Sequence, residues 1–99
     1  MDNLHSLASY LGEPYRIQRI DGEAVISRSI EGGNSIEVSG AFRKNGPYDI
    51  YVWDGSKRIV AIYSEVKGRE ILKDLLGYIS ISYRSPAGSY RVERGGKTE

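Results

Sequence analysis

The sequence predicts an α+β fold, a single domain over residues 1–94 built on a mainly antiparallel sheet of five to seven strands. A short N-terminal helix and one longer helix, over about residues 65–76, are expected to pack on one face of the sheet, with residues 95–99 as a flexible tail. Three observations carry this. Asp-Gly steps stand at Asp21-Gly22 and Asp54-Gly55 between β-prone runs, a strong short-range hairpin signal. Residues 35–42 alternate apolar and polar side chains, so one side of the sheet is core and the other tolerates water. Ile71, Leu72, Leu75, Leu76 and Ile79 make a broad stripe at helical spacing.

In chain order, Asp2 or Asn3 can cap a helix whose apolar residues Leu4, Leu7, Ala8 and Leu11 share one face, and Gly12 followed by Pro14 ends it. His5 sits beside that stripe and reads as an ordinary surface histidine. Strands over 15–20 and 23–30 follow, in a register that sets Ile17 opposite Ile26 and Tyr15 opposite Arg28. The loop 31–34 leads to the alternating strand, where Ile36, Val38 and Phe42 point one way. A three-residue loop at Lys44, Asn45 and Gly46 then keeps Phe42 on the side of Tyr48, Ile50 and Val52. A two-residue turn at Asp54-Gly55 sets Tyr51 opposite Arg58 and Asp49 opposite Val60. Ser64 is the expected cap of the main helix and Gly77 its stop. The alternation over 78–84 reads as a strand, 85–88 as a turn, and 89–94 as a partner strand with Tyr90 and Val92 on one side.

Composition narrows the chemistry. With 39% hydrophobic residues there is material for one modest core. Fourteen basic against 13 acidic residues leave a net charge of +1, so any basic surface must come from segregation of charge. The absence of cysteine excludes disulfides, thiol catalysis and Cys-ligated metals, and a single histidine leaves no imidazole cluster or His-based triad within one chain. No apolar run reaches the ~18 residues a membrane span needs, and the opening residues lack a basic leader, so a cytoplasmic protein is expected. One Met, and Gln18 as the sole Gln, fit a heat-adapted chain. No glycine set has the spacing of a phosphate loop.

The first candidate site is an aromatic and basic sheet face. Tyr51, Trp53 and Arg58 are expected on one side, with Arg16 and Gln18 on the same side of the first hairpin. Flat rings flanked by guanidinium groups are how small folds stack unpaired bases and hold phosphates. Arg43 and Lys44 in one loop and Lys57 near another could add backbone contacts, while Glu37 and Asp49 fall on the same face and would repel phosphate.

The second candidate is Asp49 followed by Glu65 and Lys67. An acid on one strand, then acid-x-Lys with a helix after it, resembles the PD-(D/E)xK nuclease core over about twenty residues. That resemblance implies two carboxylates holding Mg²⁺ and a lysine that helps activate water. The two-residue turn at Asp54-Gly55 would point Asp49 and Glu65 to opposite faces, whereas a longer loop over 54–58 would bring them together.

The third is an interface. Val25, Val60 and Ile62 on the supposedly wet face, and Tyr90 and Val92 on the last strand, are side chains a small domain buries against a partner. The favoured reading is a non-enzymatic, homodimeric domain that binds single-stranded nucleic acid without a cofactor. A protein-interaction or assembly module and a Mg²⁺-dependent nuclease are its rivals.

Overall fold

The computed structural model describes residues 2–84, 93–94 and 97–98. Their elements run α1 (Asn3–Leu11), β1 (Arg16–Ile20), β2 (Glu23–Ser29), β3 (Ser35–Ser39), β4 (Tyr48–Trp53), β5 (Ile59–Val66), α2 (Arg69–Ser82), β6 (Glu93–Arg94) and β7 (Lys97–Thr98). Strands β1 to β5 lie side by side in chain order as one antiparallel sheet, and β6 pairs with β7. This is the expected α+β architecture. The expected turn at 85–88, and Tyr90 and Val92 of the expected last strand, lie outside the described residues. Of the expected tail, Lys97 and Thr98 form β7 and the rest lies outside them.

Both helices cover one face of the sheet. Leu7 and Leu11 of α1 and Leu72, Leu76 and Ile79 of α2 join Ile26, Ile36, Val38, Ile50, Val52 and Tyr63 in a single buried cluster. Helix α1 starts where Asp2 Oδ1 accepts the His5 backbone N–H at 2.8 Å, the capping bond that satisfies one orphan donor. Its last turn is held by α2. Lys73 Nζ lies 3.4 Å from the Tyr10 carbonyl and 4.8 Å from the Tyr10 ring centre, and the Arg69 guanidinium is 5.2 Å from the same ring. Cations there answer the exposed carbonyls of a helix C-terminus and the negative face of the ring.

The first hairpin has the expected register, with Ile17 opposite Ile26, and the Arg28 guanidinium lies 5.5 Å from the Tyr15 ring centre. Three other expectations need correction. Strand β3 stops at Ser39, because Gly40 takes a left-handed φ of 81° and turns the chain aside. The connection therefore spans 40–47, burying Ala41 and leaving Phe42 62% exposed instead of in the core. Val38 keeps the expected side with Ile50 and Val52, though the longer connection pairs it with Ile50.

The second correction concerns Asp54-Gly55, which does not close as a two-residue turn. Asp54 Oδ1 accepts backbone N–H groups from Ser56 at 2.8 Å and Arg58 at 3.0 Å, and the Asp54 N–H donates to the Arg58 carbonyl. A side chain that caps its own loop stabilises the longer loop over the tight turn. Trp53 consequently pairs with Ile59 and Tyr51 with Ile62, not with Arg58, and two register shifts interrupt the β4–β5 ladder.

The third concerns the helix bounds. Ser64 caps nothing; β5 continues through a bulge at Glu65, whose φ is 62°, so that Val66 returns to the core face opposite Tyr48. Helix α2 starts after Gly68 and runs past Gly77 to Ser82, so residues 78–82 are helical, not a strand. Leu72, Leu76, Ile79 and Tyr83, spaced four, three and four apart, are the buried line that keeps the helix going. Asn34 Nδ2 then donates to the Tyr83 carbonyl at 2.7 Å and fastens the helix end to the β2–β3 loop.

Two glycines test this geometry. A Cβ on Gly46, whose φ is 84°, would lie 2.8 Å from the Val66 carbonyl oxygen, whereas one on Gly77 inside α2 meets nothing within 4 Å. Gly46→Ala is expected to cost more than about 1 kcal/mol in urea unfolding. Gly77→Ala is expected to add about 0.5–1 kcal/mol, the reverse of what a helix stop would give.

Candidate nucleic-acid interface

The face away from the helices is set by strand alternation. Arg16 and Gln18 of β1, Val25 and Ser27 of β2, Glu37 of β3, and Asp49, Tyr51 and Trp53 of β4 fall on it. Val25 is only 1% exposed there yet stands apart from the main apolar cluster. A cleft of about 450 Å³ occupies it, lined by Arg16, Gln18, Ser27, Glu37, Trp53 and Lys57 among others.

A row of polar groups crosses the cleft. Trp53 Nε1 donates to Glu37 Oε1 at 3.0 Å, which draws the indole from β4 toward β3. Ser27, directly opposite Glu37, donates from Oγ to Gln18 Oε1 at 2.6 Å. Burial raises the Glu37 carboxyl above its ordinary pKa, Glu23 and Asp21 push the same way, and the Trp53 bond opposes them. Charges of both signs line the cleft, with Asp54 and Glu37 beside the cations. Arg28 also lines the cleft, and neither Arg16 nor Lys57 forms an ion pair with a described residue. Lys57 reaches its place through a left-handed backbone, φ 65°, in the loop that Asp54 caps.

The structure brings together only some of the residues expected to act together. Arg16, Trp53 and Lys57 meet at the cleft. Tyr51 shares the face but has acidic neighbours: its phenol pKa is raised, first by burial and then by Asp49, Glu37 and Glu23. Arg58 leaves the face, with Nε 3.4 Å from Asp54 Oδ2. Arg43 and Lys44 lie in the 40–47 connection at the opposite end of β4 from Trp53, where Arg43 donates to the Pro47 carbonyl at 2.7 Å.

Asp49 and Glu65 do approach, because the longer loop over 54–58 and the bulge undo the register expected to separate them. The contact is Glu65 N–H to Asp49 Oδ1 at 3.3 Å, a backbone bond within the bulge. Lys67 bonds to neither, and among the described residues there is no group of three His, Asp or Glu side chains able to hold a metal ion. Of the expected interface residues, Val25 is buried, Val60 is half-buried against the core, Ile62 is 43% exposed, and Tyr90 and Val92 lie outside the described residues.

Sequence reading missed Ser27 and Arg28 and took Glu37 only as a repulsive charge. The Ile17–Ile26 register was the available signal, since it already turns Ser27 to the outer face. Among the described residues no helix is long and apolar enough to cross a membrane. Comparison of the chain with protein-family models, curated proteins and solved structures gives no match.

The loop that carries Lys57 has a pH signature. Backbone N–H bonds, first that from Arg58, hold the Asp54 carboxyl below its ordinary pKa of 3.8. A depressed folded-state value means stability that is complete above the ordinary range and lost as pH falls through the folded value. Asp54→Ala is expected to melt at a lower temperature than wild type at neutral pH, with the gap closing well below pH 3.8, as followed by circular dichroism.

Proposed function

We propose that this domain binds unpaired nucleic acid at the cleft, with Trp53 as the stacking surface and Arg16, Arg28 and Lys57 at the phosphates. One observation carries the reading: a half-buried indole lines one cleft with two cations, Arg16 and Lys57, neither of which forms an ion pair with a described residue. A base stacked on one aromatic side chain contributes about 1–3 kcal/mol, and the cations add a salt-dependent term. The reading is narrower than a face-wide platform: Asp49, Glu37 and Glu23 surround Tyr51, and Glu37 also holds the Trp53 indole, so phosphate is confined to the side of Arg16, Arg28 and Lys57.

The test is titration of Trp53 fluorescence with mixed-sequence single strands at two salt concentrations. Saturable quenching that weakens with salt is expected. Arg16→Ala is expected to weaken binding and lower the salt slope by about 0.7, the value for one single-strand phosphate contact. Lys57→Gly removes a cation and also relieves a left-handed lysine, so affinity should fall while thermal stability holds or rises. Combined Arg43→Ala and Lys44→Ala should change affinity little. A flat titration, or binding unaffected by Arg16→Ala and Lys57→Gly, overturns the assignment.

A second reading, self-association, has its own observation. Among the described residues strand β5 is an edge of the sheet, with β6 close to it, and Ile59 is 44% and Ile62 43% exposed beside a shallow groove of about 190 Å³ that runs along Ile59 to Ile62. An apolar edge of this length is a template for pairing with another strand. Two copies joined at β5 would show a dimeric mass in light scattering at micromolar concentration, and Ile62→Lys would restore the monomer. A monomeric wild-type mass overturns this reading.

A further inference from the structure

We propose that the cleft floor reads the Watson–Crick edge of an unpaired guanine; the inference rests on the cleft being a nucleic-acid site. The floor has a fixed order of hydrogen-bonding groups across three strands. Gln18 on β1 has its carbonyl oxygen occupied by the Ser27 hydroxyl, which leaves its amide NH₂ as a donor. Ser27 on β2 has spent its hydrogen on Gln18, so its oxygen only accepts. Glu37 on β3 has Oε1 occupied by the Trp53 indole N–H, and no described residue donates to Oε2. Read across the sheet, the floor offers donor, acceptor, acceptor.

Guanine presents the complement, with O6 accepting and N1–H and the N2 amino group donating. The other bases each meet a conflict. Uracil and thymine would set the O2 acceptor against Glu37. Adenine would set its N1 lone pair against an oxygen, and cytosine presents one donor where the floor has two acceptors. A site whose polar groups are left unpaired by the wrong partner discriminates through the cost of those unmade bonds, here at buried Ser27 and half-buried Glu37 more than at exposed Gln18. Strand backbones lie about 4.8 Å apart, and the long Gln18 and Glu37 side chains flank the short Ser27, so the three groups can converge on one base edge. Trp53, tied to the same carboxylate, places an aromatic surface beside that base, and Arg16 and Lys57 stand at the rim for its phosphates. Edge reading with stacking is how proteins recognise unpaired bases in general.

The experiment compares four strands of about ten thymidines, one unmodified and three carrying a single central guanine, adenine or cytosine, by Trp53 fluorescence. The guanine strand should bind about tenfold tighter or better, the discrimination one well-made base contact gives. Hypoxanthine in place of guanine, which lacks the 2-amino group, should lose much of that preference. Glu37→Gln keeps an acceptor for Trp53 but removes the carboxylate, and Gln18→Glu replaces the donor; each should bring the four strands close to equal affinity. Free GMP preferred over AMP by the same factor, and as tight as the strand, would keep the edge reading and make the nucleotide itself the ligand. Equal affinity of wild type for all four strands overturns the guanine inference and leaves the stacking site standing. No binding of any strand or nucleotide overturns both.

Discussion

A chain of this length can fill one apolar core, and that limit shapes the whole sheet. Each of five strands must present every second side chain to the cluster that also takes Leu7, Leu11, Leu72, Leu76 and Ile79. The other face then has no apolar layer to meet and is left to polar contacts and curvature. Strand β5 shows the constraint acting locally. Its ladder with β4 slips twice, yet after each slip the apolar side chains Ala61, Tyr63 and Val66 are back on the core side. The left-handed backbone at Glu65 is the local cost of returning Val66 to the core.

The charge pattern on the outer face follows from the same register. Glu23, Glu37 and Asp49 surround Tyr51, whereas the cleft beside Trp53 is lined by Arg16, Arg28 and Lys57 together with Glu37 and Asp54. A nearly neutral chain can thus have a polarised face, since at distances near a Debye length only the local groups act on a ligand. Tyr51 and Trp53 are two residues apart on one strand and share a face, yet only Trp53 lines the cleft with Arg16, Arg28 and Lys57.

Most of the fold was legible in the sequence where one signal had one structural solution. Asp21-Gly22 is flanked by strands whose apolar residues agree with a two-residue turn, so the pairing of Ile17 with Ile26 could be written down directly. The same dipeptide at 54–55 misled, because Asp54 bonds to the N–H groups of Ser56 and Arg58, and a dipeptide does not reveal what its side chain will cap. Residues 78–82 satisfy two periods at once: Ile79 and Ile81 alternate as in a strand, while Leu72, Leu76, Ile79 and Tyr83 follow a helix. Helical continuation wins because it buries Tyr83 beside Tyr63, with the two hydroxyls 3.1 Å apart. The cleft was half legible. Arg16, Gln18 and Trp53 could be placed from alternation, but the removal of Arg58 and the arrival of Lys57 depended on a loop length that alternation does not specify.

That loop also connects stability to the site. Lysine rarely adopts a positive φ, since its Cβ crowds the backbone at a cost of roughly 1–2 kcal/mol, and glycine would sit there without strain. The position is tolerated because the loop is over-determined: Asp54 accepts two backbone N–H groups, and the Lys57 N–H donates to the Asp54 carbonyl at 3.1 Å. Those bonds carry Lys57 to the rim of the cleft and at the same time pair Arg58 with Asp54 and away from it. A turn followed by one left-handed residue is an ordinary way to close a hairpin, so the loop's own bonds account for the φ of Lys57. The same carboxylate therefore holds the loop that sets the β4–β5 register beside Trp53 and pairs with Arg58, while the neighbouring Lys57 lines the cleft.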